Sequence, residues 1–346
     1  MNPPIRVLIV DDSALVRQIL TKGLSMDPGI EVIGTAHDPF DARDKIVSMK
    51  PDVLTLDVEM PRMDGLEFIR RLIPQYPIPV VMVSSLTERG HDITLNALAA
   101  GAIDFVTKPK SDLQNALPAM IMELRTKVKI ASMATVRSRP RPAPRPVAAA
   151  SDGVLGHTTD KLVVIGASTG GTEAITLVLR DLPPNSPGIL IVQHMPPGFT
   201  TTFAKQLNDI SRLTVKEAED GDRVMTGQVL LAPGAKHMEV LRSGGQYRVS
   251  VRPGDPVCGH CPSVEVLMQS AARYAGPNAT GVILTGMGKD GASGLKAMRD
   301  AGSRTIGQDE SSCIVYGMPK EAARLGAVET TVSIEQVGAA ILRKVS

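Results

Sequence analysis

Five times between Ile5 and Lys129 a short apolar run is followed by ten or more residues of helical periodicity. The runs are Val7 to Val10, Val32 to Thr35, Val53 to Leu56, Val80 to Val83 and Ile103 to Val106. A strand that is apolar on both faces must be covered on both, so repeated strand–helix units predict a parallel sheet with helices on each side. Ligands of such sheets bind beyond the carboxyl ends of the strands. At those ends stand Asp11 and Asp12 after the first run, Asp57 after the third, Ser84 after the fourth and Lys108-Pro109 after the fifth.

Three carboxylates at one sheet edge repel one another, and a hydrated Mg²⁺ held by one or two of them is the usual way to offset that charge. With Lys108 as a fixed cation, an aspartate there can act as nucleophile towards a phosphoryl group. The simpler reading, that Asp11-Asp12 only caps the helix starting at Ser13, leaves the other positions unexplained. The constellation resembles the receiver domain of bacterial response regulators, a flavodoxin-like (βα)5 fold. The resemblance implies that Asp57 accepts the phosphoryl group, that Asp11, Asp12, Asp57 and the Glu59 backbone carbonyl form the Mg²⁺ site, and that Ser84, Phe105 and Lys108 relay the change.

A chain of 346 residues has room for a second domain. Between the two, Arg137, Arg139, Arg141 and Arg145 alternate with Pro140, Pro142, Pro144 and Pro146. Such a segment has too little apolar surface to fold and its prolines keep it extended, so it is expected to be a linker. The predicted organisation is residues 1–130, a linker over 131–158, and a second domain over 159–346. Strand signals resume at Leu162 to Ile165, Ile189 to Val192, Val215 to Lys216, Val229 to Ala232, His237 to Leu241, Tyr247 to Val251, Gly281 to Leu284 and Thr305 to Gly307. Helical patterns separate most of them, and Gly244-Gly245 marks a hairpin. This predicts a second, Rossmann-like α/β sheet with an antiparallel hairpin insertion.

The stretch Lys161 to Thr172, KLVVIGASTGGT, reads as strand, tight turn and helix. Gly166, Ser168 and Gly170 fit G-x-S-x-G, in which small residues let a sharp turn hold out a serine hydroxyl. The letters also nearly fit a dinucleotide fingerprint, and any α/β protein needs a small-residue turn here. On this stretch alone all three readings stay open. A nucleophilic serine needs a base, and the base needs an orienting group. His194, in QHMPPGFT, directly follows the strand Ile189 to Val192. His260 is a second candidate for the base, and His237 reads as ordinary surface. The strand Gly281 to Leu284 runs into TGMGKDG, which puts Asp290 just past a strand end. Glycines in that loop permit close backbone approach, so an N–H near Met287 can serve an oxyanion. Ser, His and Asp thus sit separately on three loops after three strands.

GASTGGTEA, QHMPPGFT and LTGMGKDGASG, behind a receiver-like half and a linker, resemble the chemotaxis protein-glutamate methylesterase family, CheB. The resemblance spans nearly the whole chain. It implies a phosphorylation-regulated serine hydrolase that demethylates glutamyl methyl esters, and deamidates glutamines, on the cytoplasmic helices of chemoreceptors. In that reading Ser168, His194 and Asp290 form the triad, and Met287 and Thr169 lend backbone donors. The esterase needs no cofactor. The receiver inhibits the catalytic domain until Asp57 is phosphorylated by a sensor histidine kinase. One departure is the loop of Cys258 and Cys261, where the family carries Asn and Arg. A single C-x-x-C with His260 between offers too few ligands for a structural zinc site.

Composition constrains the rivals. Net charge is +2 and aromatics make up 3% with no Trp, which gives neither a basic footprint nor a stacking surface for nucleic acid. A response regulator with a non-catalytic binding output is the alternative. A nucleotide-dependent oxidoreductase would want an acidic residue roughly 20 positions beyond the glycines, where Gly188 to Val192 is apolar. Three cysteines make no disulfide framework. Asp11-Asp12 cuts the first apolar run too short for a signal peptide, and no run of about 18 apolar residues occurs. A cytoplasmic monomer without membrane insertion is expected.

Overall fold

Each apolar run of the first half becomes a strand in the computed structural model, which describes residues 3–85, 87–109, 113–134 and 161–345. The elements are β1 (Ile5–Val10), α1 (Ala14–Ser25), β2 (Ile30–Ala36), α2 (Pro39–Met49), β3 (Val53–Asp57), α3 (Gly65–Leu72), β4 (Val80–Ser84), α4 (Glu88–Ala99), β5 (Asp104–Thr107) and α5 (Leu113–Ser132). The strands pair in parallel in the order β2-β1-β3-β4-β5. This is the flavodoxin-like order, whose direction of winding reverses between β1 and β3. Asp11 and Asp57 stand at the ends of those two strands. Ser13, not the aspartates, caps α1, its Oγ accepting from the Val16 N–H at 3.4 Å. Asp11 Oδ1 in turn accepts from the Ser13 N–H at 3.0 Å. α5 runs on through Ser132 and buries Ala131, so the first two residues of the expected linker are helical because an apolar residue there still finds the core; residues 135–158 of that linker lie outside the described residues.

The second unit runs β6 (Leu162–Ala167), α6 (Gly171–Arg180), β7 (Gly188–Gln193), α7 (Phe199–Ile210), β8 (Thr214–Glu217), β9 (Gln228–Leu231), β10 (His237–Ser243), β11 (Gln246–Arg252), α8 (Val264–Tyr274), β12 (Ala279–Ile283), α9 (Ala292–Asp300), β13 (Arg304–Gln308), α10 (Met318–Arg324), β14 (Thr330–Val332) and α11 (Ile334–Val345). Seven strands pair in parallel as β14-β13-β12-β6-β7-β9-β8. The antiparallel excursion is the β10–β11 hairpin, a two-stranded sheet of its own, whose β11 also bridges antiparallel to Arg223 through Arg248. From β6 the chain winds one way to β7 and later returns to the other side as β12, so the switch point lies among these three strands. All three are buried along their whole length.

The β10–β11 hairpin positions α8. Val264, Leu267, Met268 and Ala271 on that helix are fully buried in one core with Met238, Val240, Tyr247 and Val249 of the hairpin. Burying side chains of this size contributes about 1.5–3 kcal/mol each. The Val240 N–H also donates to Ser270 Oγ at 2.9 Å. The helix is thereby fixed with its N-terminus at the carboxyl end of β6. No helix among the described residues is long and apolar enough to cross a membrane.

Candidate active site

Ser168 follows β6 directly and is half-buried in the turn before α6. Gly170 holds φ +78° at the N-cap of α6, where a side chain would be strained and its Cβ would lie 2.7 Å from Ile314. A Cβ on Gly166 would run into Val264 at the head of α8, so this glycine lets helix and strand meet. The serine's own N–H donates to Thr285 O at 3.0 Å and its carbonyl accepts from the Gly171 N–H at 2.7 Å. Gln193, the last residue of β7, ties the two neighbouring turns together. Its Nε2 donates to Ser168 O at 2.9 Å and to His194 O at 3.2 Å.

His194 comes next on the chain, its side chain only 8% exposed. Its Nδ1 lies 3.1 Å from Ser168 Oγ and its Nε2 lies 2.7 Å from Asp290 Oδ2. An ionised carboxylate can only accept, so Nε2 carries the ring proton and Nδ1 faces the serine hydroxyl with a lone pair. The structure thus brings the three residues together along one rim, from loops after β6, β7 and β12. Asp290 is 2% exposed. Besides the imidazole it accepts from Ser263 Oγ at 2.7 Å, the Val264 N–H at 2.7 Å and the Glu265 N–H at 3.0 Å. The last two are otherwise unpaired donors at the N-terminus of α8, where the helix dipole favours a negative charge. Burial opposes the charge on Asp290, but the His194, Ser263 and backbone hydrogen bonds outweigh it and hold the carboxyl below its ordinary range. A carboxylate so placed stays ionised near neutral pH and keeps the imidazole in the tautomer a general base requires.

Gly286 packs against Ser168, an added Cβ falling 2.7 Å from the serine Cβ. The Gly286 carbonyl accepts from the N–H groups of Gly317 and Met318 at 3.1 and 2.8 Å, fixing that loop. Met287 is 40% exposed, whereas Thr169 is buried, its carbonyl accepting from Thr285 Oγ1 at 3.0 Å.

Three contributors escape a reading by motif. Ser263 sits at the N-cap position of α8, yet its hydroxyl serves Asp290 in place of its own helix. His237, expected as plain surface, clamps the loop before α8. Its Nδ1 accepts from the Ser263 N–H at 3.2 Å and its Nε2 lies 2.9 Å from Asp255 O. His260, the second candidate for the base, stacks on the His194 ring instead, with centroids 3.7 Å apart and planes 15° from parallel. Cys258 in the same loop is exposed. What burial its thiol has, together with the Asp290 and Glu265 carboxylates, pushes it up, so it stays protonated.

In the first unit Asp11, Asp12 and Asp57 each offer a carboxylate oxygen, all within 4.8 Å of one another. Lys108 Nζ lies 2.9 Å from Asp11 Oδ2 and 2.9 Å from Asp57 Oδ2. Burial pushes the Asp57 carboxyl up to about 6, Asp11 adding to the shift and Lys108 opposing it. The donor set suits a hard divalent cation, which takes oxygen ligands and would offset this buried negative charge. The Glu59 N–H donates to Asp57 Oδ1 at 3.4 Å. Ser84 is buried and its Oγ accepts from Thr94 Oγ1 at 2.6 Å. Phe105 is buried too, with Lys127 Nζ 5.1 Å from its ring centre.

Comparison with known proteins agrees with this division. Residues 163–341 match the family model described as CheB methylesterase and residues 7–118 the one described as response regulator receiver domain. The chain is 56% identical to the protein-glutamate methylesterase/protein-glutamine glutaminase of Syntrophotalea carbinolica, over 99% of this chain and 98% of that protein. To the protein of that name from Salmonella typhimurium it is 52% identical, over 99% and 97%. Among solved structures, the Thermotoga maritima CheB methylesterase catalytic domain is similar at 37% identity and a TM-score of 0.52, covering 54% of this chain and 99% of that one.

Proposed function

The chain belongs to the CheB methylesterase family and carries a response regulator receiver domain ahead of the esterase, and from this we propose that Ser168, His194 and Asp290 are its catalytic triad. The single imidazole bridging Ser168 at 3.1 Å and the buried Asp290 at 2.7 Å carries the assignment. His194 Nδ1 takes the serine proton as Oγ attacks the glutamyl ester carbonyl, and Asp290 stabilises the imidazolium that forms. The imidazolium then protonates the departing methoxide and methanol leaves. Water, deprotonated by the same Nδ1, adds to the acyl carbon; the Oγ–acyl bond then breaks as the imidazolium returns the proton to Ser168, and the glutamate carboxylate is released. With a glutamine side chain the leaving group is ammonia. Backbone donors at Met287 and Thr169 stabilise the oxyanion, and a donor of this kind is worth about 10²–10³-fold in kcat.

The receiver reading rests on the Asp11, Asp12, Asp57 and Lys108 cluster. Asp57 is the phosphoacceptor, and Asp11, Asp12, Asp57 and the Glu59 carbonyl would hold Mg²⁺, which when bound supplies positive charge to the phosphoryl oxygens. Lys108 holds its ammonium against Asp57, and Ser84 and Phe105 respond to the new charge. We assign the chain through the end of α5 at Ser132 to the receiver, the stretch from there to 158 to a linker and 159–346 to the esterase. The protein works as a cytoplasmic monomer, with methylated chemoreceptors as substrate and a sensor histidine kinase as phosphodonor. Its unphosphorylated receiver inhibits the esterase until Asp57 is phosphorylated, helped by the high effective concentration that a tether confers. A non-catalytic binding output is not favoured, because the esterase family model spans the second half.

Methanol release from methylated receptor membranes tests the chemistry. Ser168→Ala is expected to abolish it, and undiminished turnover ends the proposal. A chain starting near Asp152 is expected to be active without phosphodonor; basal activity unchanged or lower refutes inhibition by the receiver.

A further inference from the structure

We propose that His260 is a positioning residue for His194, a flat slab that blocks rotation of the catalytic imidazole. This rests on the triad assignment above. The two rings lie face to face, with centroids 3.7 Å apart and an interplanar angle of 15°. For His194 to rotate about its Cβ–Cγ bond, its edge must sweep through the space His260 fills, and a ring turned edge-on needs more room than that separation. What the slab prevents is chemically specific. A half-turn of His194 would put Cδ2 and Cε1 where Nδ1 and Nε2 now stand, so that a carbon would face Ser168 and another would face Asp290. Neither accepts the serine proton.

The chain is built to hold His260 still. Val257 and His260 exchange backbone hydrogen bonds of 3.0 Å across a two-residue turn. Both turn residues have positive φ, Cys258 at 52° and Gly259 at 84°, the conformation of a tight type I′ turn. Beyond the turn, the Cys261 carbonyl accepts from the Ala235 N–H at 3.2 Å. His237 clamps the loop at Asp255 and Ser263. The same segment then supplies Asp290 with the Ser263, Val264 and Glu265 donors. One anchored loop therefore positions both the acid and the ring plane of the base, and the His194 side chain is left 8% exposed beneath it.

The test uses the full chain, a small-molecule phosphodonor and methylated receptor membranes, with methanol release as readout. Because a misplacement of about 1 Å can cost about 10²-fold in rate, His260→Ala is expected to lower kcat roughly 10- to 100-fold while KM moves less than about twofold. His260→Phe, which restores a flat ring without nitrogens, is expected to return kcat to within about threefold of the native value. The low-field proton resonance of the His194–Asp290 hydrogen bond is expected to stay sharp in the Phe variant and to broaden in the Ala variant. Native kcat in His260→Ala, or a Phe variant as slow as the Ala variant, overturns the proposal. If Ser168→Ala is inactive while His260→Ala is native, this inference alone falls. If Ser168→Ala keeps native turnover, the triad assignment falls and takes this inference with it.

Discussion

Replacing Asp290 by Asn separates the charge of the triad from its shape. The carboxylate accepts four hydrogen bonds, from His194 Nε2, Ser263 Oγ, the Val264 N–H and the Glu265 N–H. An asparagine has a donor on one side, so its NH₂ must face either the imidazole and the Val264 N–H or the Ser263 and Glu265 pair. Facing the imidazole, it favours the tautomer with the proton on Nδ1, and Ser168 loses its base. The equivalent change in a trypsin-type triad leaves geometry intact and costs about 10⁴ in kcat. We expect a loss of about 10³–10⁴-fold here, or about 4–5.5 kcal/mol of barrier at 1.36 kcal/mol per decade. In either orientation a buried N–H is left unpaired at the head of α8, costing about 1–3 kcal/mol of stability. The pH dependence has a definite sign. The Asp290 carboxyl is held below its ordinary range, so its contribution is fully present above the unfolded value of about 3.9 and is lost as pH falls through the lower folded value. The Asn variant should therefore melt below the native protein at neutral pH, with the gap closing in acid. Methanol release and a melt at several pH values read both effects. Turnover within tenfold of native, with a stability gap that does not change with pH, would refute the reasoning.

Removing the Ser263 hydroxyl takes one of the four donors from Asp290, so Ser263→Ala should cost about 1–2 kcal/mol in a thermal melt and much less rate than the Asn change; equal losses of rate would contradict this ranking. In the receiver the sign is reversed. Asp57 is pushed up to about 6, so its own contribution to the stability of the cation-free domain is greatest below the ordinary carboxylate value and falls by up to about 3 kcal/mol as pH rises through 6. Asp57→Asn should then melt higher than native in chelator at pH 7, and added Mg²⁺ should raise only the native melting temperature. A native melt indifferent to Mg²⁺ counts against the cluster as a cation site.

Most of the strand framework was legible because parallel strands buried on both faces leave short β-branched runs, as in Leu162 to Ile165. Many observed strands extend those runs, since the ladder continues into glycine and polar positions such as Gly166 and Gln193, whereas β5, β9 and β12 are shifted and leave out Ile103, Ala232 and Leu284. β14 left no such trace: Thr330–Val332 is three residues long, partly exposed and on the sheet edge. The meeting of Ser168, His194 and Asp290 was legible as three polar residues each past a predicted strand, since strand order decides whether they meet. What surrounds it was not. Ser263 carries no motif of its own, His237 looks like surface and His260 like a spare base. Their roles depend on how α8 and its preceding loop pack against the rim, a long-range arrangement with no local periodicity.

Covalent labelling tests the central assignment most directly. An activated phosphonate ester that reacts with basic serines, followed by peptide mass analysis, should place the adduct on Ser168 in the native chain, faster with a phosphodonor present. His194→Ala should lose the adduct. Labelling of another residue that tracks loss of methanol release, or full esterase activity after Ser168 is modified, would contradict the account.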